Sequence, residues 1–274
     1  MLHQLQKIEG VGMKALFVSH GAPTLLHDDV PARAFLQALP QRLPRPRAIV
    51  VVSAHHVRDP VTLGASASWQ EWHDFGGFPD ALYREHYRPP GDPALAAALA
   101  RGLREQGFAA QLEEDGRLDH GAWVPLKLAW PAADVPVVTL ALSAGLDSAG
   151  HLALGAALGR VLPDDVLLLA SGSSTHNLRE VFSHGMADPA EGYVREFNDW
   201  VIAASAEPLP GRLADWLQQA PHARRAHPSI EHFLPLLVAR GAAGVQAGVE
   251  VWHDSVTFGV LGMHALAFAA AQDT

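Results

Sequence analysis

Continuous apolar runs that end in small or turn-forming residues recur along the chain: Lys14–Val18, Ala48–Val52, Val135–Leu142, Asp165–Ala170, Val249–Trp252 and Val256–Gly262. They are rich in Val, Leu and Ile and lack polar alternation, the pattern of strands buried on both faces. Between them, Pro31–Leu39, Asp92–Gln106, Ser148–Leu162, Glu191–Ala204 and Phe233–Arg240 carry the Ala/Leu-rich spacing of helices. Asp92 and Asp147 stand where caps are needed, and Gly107 and Gly241 where helices should stop. Strands alternating with helices predict an α/β fold, a single-domain sandwich with a central, mostly parallel or mixed sheet flanked by helices. Residues 1–12 read as a dispensable extension and 13–274 as the folded domain. The stretch from Gly64 to Pro93 fits neither pattern. It carries Trp69, Trp72, Phe75, Phe78, Tyr83 and Tyr87, and long aromatic loops of this kind serve as lids or pocket walls.

Composition narrows the chemistry. The 274 residues include no Cys, which excludes disulfides, Cys-ligated zinc, iron–sulfur clusters and thiol nucleophiles. The net charge of −9 argues against nucleic acid or an anionic membrane as partner, and no apolar run is long enough to span a bilayer. With no hydrophobic leader in the first residues, the expected compartment is the cytoplasm. Oligomeric state is left open. The residue that stands out is His, 16 in all, nearly as many as the 20 Lys and Arg together.

Three histidines occupy one structural station. His20 follows KALFVS, His55 follows AIVVVSA and His176 follows DVLLLASGSST, each at or just beyond the carboxyl end of a predicted strand. In open α/β sheets the ligand crevice lies outside those ends, so parallel neighbours would bring the imidazoles together. His120, in LDHGAW, should sit in a turn feeding a helix that starts near Pro125. His232, in HPSIEHFLPLL, should stand where a helix begins or kinks ahead of Pro235. His73 lies in the aromatic loop and His56 beside His55. The other nine histidines read as surface or core-edge residues. The turn Ser171–Ser173 could hold an oxyanion on its amides, and Ser174 with His176 could suggest a hydrolase. No nucleophile elbow, phosphate-binding loop, H-E-x-x-H or dinucleotide fingerprint is present. An all-imidazole cluster suits zinc or iron.

The segments SHGAP (19–23), SAHH (53–56), DFGGFPDALY (74–83), LDHGAWVPL (118–126), GSSTHNLRE (172–180), EHFLPLL (231–237) and SVTFG (255–259) resemble, in order, the DODA-type, DOPA 4,5-dioxygenase-like branch of the class III extradiol ring-cleaving dioxygenases, the LigB superfamily. The resemblance implies that His20, His55 and His232 ligate one divalent metal, with His176 beside it as acid/base or fourth ligand. It makes His120 a catalytic residue that hydrogen-bonds substrate or oxygen and stabilises charge growing there. Relatives commonly carry Trp or another residue at the position of His56, which bears on pocket shape. Zn²⁺ is expected in the isolated protein and Fe²⁺ for activity, because zinc has no redox chemistry.

The implied substrates are a small catechol and O₂, and the implied product a muconic semialdehyde. His56, His73, Phe75, Phe78 and Tyr83 would line the substrate pocket, with Trp69 and Trp72 helping to exclude water. Arg58, Arg84 and Arg179 are the candidate partners of a substrate carboxylate. Two other readings use the same cluster: a non-enzymatic metal- or peptide-binding relative, and a zinc-dependent hydrolase.

Overall fold

The computed structural model describes residues 13–269, so the proposed extension 1–12 lies outside the described residues. Six strands form the central sheet: β1 (Met13–Ser19), β2 (Ala48–Ser53), β3 (Val137–Thr139), β4 (Val166–Gly172), β5 (Gly248–His253) and β6 (Ala265–Ala269). Their spatial order is β5-β6-β1-β4-β2-β3. From β1 to β3 the neighbours are parallel, whereas β6 runs antiparallel to both β1 and β5. The sheet is therefore mixed, as expected.

The apolar runs lack polar alternation because both faces of the sheet are covered. Ala15 and Phe17 of β1, Val50 and Val52 of β2, and Leu168 and Ala170 of β4 join one core. Leu16 and Val18, Ile49 and Val51, and Leu167 and Leu169 join the other. Six helices supply the outer layers: α1 (Pro31–Ala38), α2 (Pro93–Glu105), α3 (His120–Ala129), α4 (Ser148–Val161), α5 (Gly192–Ser205) and α6 (Leu234–Ala242). Residues of α1 and α3 pack on the second face, and those of α2, α4, α5 and α6 on the first. The predicted caps form: Asp92 accepts from the Leu95 amide at 2.9 Å and Asp147 from Gly150 at 2.8 Å.

The structure corrects four local readings. The run Val135–Leu142 yields only three residues of central strand, its end pairing instead as Leu142–Ser143 with Val57–Arg58. The run Val256–Gly262 is a hairpin of two short strands turning at Phe258 and Gly259, both at positive φ. Helix α6 does not stop at Gly241, where a Cβ would lie 2.2 Å from the Leu152 carbonyl, so this glycine lets α4 and α6 touch backbone to backbone. The stop is made beyond it, by Gly244 at φ +95°. Finally, α3 begins at His120 rather than near Pro125, because Asp119 caps it. Pro125 lies inside the helix and cannot donate to the Gly121 carbonyl one turn back. The Ser171 hydroxyl at the end of β4 donates to that carbonyl instead.

Behind α6, Arg240 is fully buried and bonds to backbone carbonyls. It donates to the carbonyls of Ser205, Glu207, Gly244 and Val245, at 2.6–3.1 Å, binding the end of α5 to the end of α6.

Candidate active site

Strand β4 lies between β1 and β2, so the residues just past these three carboxyl ends meet over one spot. His20 and His55 come from the ends of β1 and β2. His232 arrives from the other direction, in the turn before α6, with its carbonyl accepting from the Ser173 amide at 2.9 Å. One ring nitrogen of each of the three lies within 4.8 Å of the others. His55 Nε2 stands 3.2 Å from His20 Nε2 and 3.2 Å from His232 Nε2.

Neighbouring groups settle the tautomers. The single proton of Ser171 goes to the Gly121 carbonyl, so across the 3.0 Å contact His20 Nδ1 must donate to Ser171 Oγ. Likewise His232 Nδ1 donates to the Glu231 carboxylate at 3.1 Å. Both rings thus turn an unprotonated Nε2 toward His55. A His55 proton can serve only one of the two 3.2 Å contacts, leaving the other as lone pair against lone pair. A divalent cation among the three removes that conflict. Imidazole–metal bonds of about 2.0–2.1 Å put ligand nitrogens about 3.0–3.4 Å apart, so the spacing fits.

The electrostatics keep His20 and His55 neutral. Burial, reinforced by the other histidines, holds His20 well below the ordinary imidazole range. Burial followed by repulsion from His120 and His232 brings His55 down to about 3. The hydrogen bond from His232 holds Glu231 at about 2, keeping it an ionised acceptor.

His176 lies beyond the end of β4, its amide bonded to the Ala226 carbonyl. Its ring stacks on His232 with centroids 3.4 Å apart and planes within 9°. Burial and His232 lower it to about 2. His120, the first residue of α3, packs its ring 4.1 Å from His55 and 5.5 Å from His20. Its Nδ1 lies 3.0 Å from Asp74 Oδ1, and its amide donates to the same oxygen at 2.9 Å. Burial alone would raise the Asp74 carboxyl, but the bonds from His120 bring it below its ordinary value.

Asp74 opens the aromatic segment. Phe75 sits edge-on 5.9 Å from His120 and also meets Phe78, Tyr83 and His73 at 5.4–5.6 Å. These four side chains form one wall joined to His120. The remaining candidates stand elsewhere. His56 is bound to Glu113 at 2.7 Å, which also holds Arg58, and shares no ring contact with the cluster. The reason is local: the chain turns tightly after β2, directing consecutive side chains apart. Trp69 is buried in the core with its Nε1 donating to the Val137 carbonyl, and Trp72 is partly exposed beneath Arg117, so neither joins the wall. Arg84 and Arg179 are exposed.

Ser171 and Gly172 lie within β4 and the Ser173 amide is taken by the His232 carbonyl, which closes the oxyanion reading. Ser174 Oγ meets His264 rather than His176. His151, His227 and His264 are buried rather than peripheral. Asp74 and the tautomer-setting role of Ser171 were beyond sequence reasoning. The one pointer to Asp74 was its place at the head of the DFGGFPDALY segment.

A mixed α/β sheet with a buried imidazole cluster at its parallel strand ends defines a protein built around a metal-compatible histidine site. Residues 14–269 match the family model described as the catalytic LigB subunit of aromatic ring-opening dioxygenase. The chain is 36% identical to 4,5-DOPA dioxygenase extradiol of Beta vulgaris, over 90% of this chain and 93% of that protein. It is 37% identical to 4,5-DOPA dioxygenase extradiol of Escherichia coli K12, over 92% and 93%. The crystal structure of an uncharacterized protein from Escherichia coli K12 superposes with a TM-score of 0.77 at 32% identity, covering 93% of this chain and 99% of that one. The chain belongs to the LigB family, in its DODA-type branch, and is an extradiol dioxygenase. No described helix is long and apolar enough to cross a membrane.

Proposed function

We propose that the chain opens a catechol ring beside its hydroxyl pair, consuming O₂ and placing both oxygen atoms in a muconic semialdehyde product. The observation carrying this reading is the convergence of the His20, His55 and His232 nitrogens next to the Asp74-held His120 and its aromatic wall. His20, His55 and His232 would hold one divalent metal, Fe²⁺ in the active enzyme and Zn²⁺ in protein as isolated. Bound iron supplies Lewis acidity toward the catechol oxygens and the redox chemistry that zinc lacks. The chain's own groups do the rest. His176, kept neutral, takes a catechol proton and can return it, help worth about 10²–10⁴-fold. Phe75, Phe78 and Tyr83, with His73, stack against the ring and exclude water. The cytoplasm is the proposed compartment.

The test is to strip the metal anaerobically, restore either Fe²⁺ or Zn²⁺, add a catechol such as L-DOPA, admit air and record oxygen uptake with the visible spectrum. A coloured product and stoichiometric oxygen uptake with iron alone are expected. No uptake with any catechol would reject the reading, and equal activity with zinc alone would reject the metal assignment.

Ser171 provides a finer check. Serine at this position holds the His20 tautomer, so Ser171→Ala is expected to weaken metal binding about 10- to 100-fold without unfolding the sheet. Chelator competition measures it directly, and an unchanged dissociation constant would remove Ser171 from the site.

A further inference from the structure

The aromatic segment and α3 meet at a single carboxylate oxygen. Asp74 Oδ1 receives both the His120 amide, at 2.9 Å, and the His120 ring through Nδ1, at 3.0 Å. An ionised carboxylate has no proton to give, so the ring must donate from Nδ1. In the neutral imidazole this leaves Nε2 as a bare lone pair. The amide bond ties the same oxygen to the start of the helix, so the carboxylate can leave His120 only if the segment itself moves.

We propose that Asp74 is a positioning residue that fixes His120 as a hydrogen-bond acceptor through Nε2, so that His120 receives a substrate hydroxyl proton rather than donating to a developing oxyanion. The Asp74 side chain is almost fully enclosed, 9% exposed, and touches His120 twice, which leaves the ring little rotational freedom. The next residue, Phe75, sits edge-on to the same imidazole, and Tyr83 and Phe78 pack on Phe75. One residue therefore sets the tautomer of His120 and anchors the wall against which an aromatic ring would lie. The geometry selects a ligand that offers an O–H to His120: a phenolic hydroxyl satisfies it, and a methyl ether at the same position does not.

The catalytic consequence rests on the ring-cleavage reading, whereas the tautomer does not, and the two are tested separately. In the zinc-loaded protein, two-bond proton–nitrogen NMR, assigned with His120→Gln, should show an N–H at His120 Nδ1 and an unprotonated Nε2. Asp74→Ala should collapse this into a mixture of tautomers. A proton on Nε2 in the natural protein, or the same pattern in Asp74→Ala, overturns the proposal whether or not any catechol is cleaved.

Where ring cleavage is observed, Asp74→Asn should lower kcat about 10²–10⁴-fold, with metal content unchanged and KM within about threefold, because the amide preserves shape but admits the other tautomer. A kcat equal to that of the natural protein overturns the catalytic part. Loss of metal from Asp74→Asn would make Asp74 a ligand and overturn the positioning role. Should Asp74→Ala fail to fold, Asp74→Asn carries the NMR test as well.

Discussion

Replacing His55 with alanine is expected to abolish stoichiometric metal binding and, with it, ring cleavage, while leaving the fold intact. His55 Nε2 is the centre of the cluster, 3.2 Å from both other Nε2 atoms, so no remaining pair encloses a cation as the three do. Losing a group that merely supports a ligand costs about 10- to 100-fold in affinity, so losing the residue at the centre of the proposed ligand set should exceed that range. Its ring lies beyond the last residue of β2, outside the apolar cores, so little packing is lost. The neighbouring His56→Ala is the matched control. It removes only a half-buried pair with Glu113, an interaction worth about 0–1 kcal/mol, and should keep full metal content. Metal analysis after dialysis decides: a His55→Ala protein holding one ion per chain would contradict the ligand set.

The second large effect is expected from Gly172→Val, at the last residue of β4. A Cβ there would sit 2.2 Å from the His232 carbonyl and 3.2 Å from Phe17 Cε2. The Gly172 carbonyl also accepts from the His20 amide at 3.0 Å, so one residue spaces two of the three cluster histidines. The new side chain must push the turn before α6 outward. Overpacking of this kind costs about 1–3 kcal/mol, and for a chain of this size each kcal/mol lowers the Tm by about 2–4 °C. Displacing a positioned group by about 1 Å can cost about 10²-fold in rate, so activity should fall further than stability accounts for. Gly192→Ala, where a Cβ meets nothing within 4 Å, should change neither. Thermal melts and turnover measured side by side test the claim, and a Gly172→Val protein with natural turnover would show that His232 is not held by this contact.

The central strands β1, β2 and β4 were legible because both their faces are buried, which leaves runs such as AIVVV, residues 48–52, with no polar residue to blur them. Strand β6 was not. Its sequence, ALAFA, has no β-branched residue and reads equally well as helix, and it is a strand because β1 and β5 supply hydrogen bonds on both sides. Pro125 misled for the opposite reason. A local rule that proline opens helices lost to a stronger local signal, the Asp119 cap, together with a partner from a remote strand, Ser171.

The positions of His20, His55 and His176 followed from strand-end logic that one chain carries on its face. His56 and His55 differ by one position, and only the tight turn after β2 distinguishes the histidine in the cluster from the one bound to Glu113. Asp74 lies 46 residues from His120, a separation at which no sequence periodicity operates.

The cluster histidines lie far apart along the chain, 35 residues between His20 and His55 and 177 between His55 and His232. An ion held by all three would be a cross-link closing two long loops in a protein that has no cysteine with which to make one. Its binding energy would oppose unfolding of the entire sheet, by about 4 kcal/mol at a thousandfold excess over the dissociation constant. A chelator would then act on this fold as a reductant acts on a disulfide-stapled one, loosening the scaffold along with the chemistry.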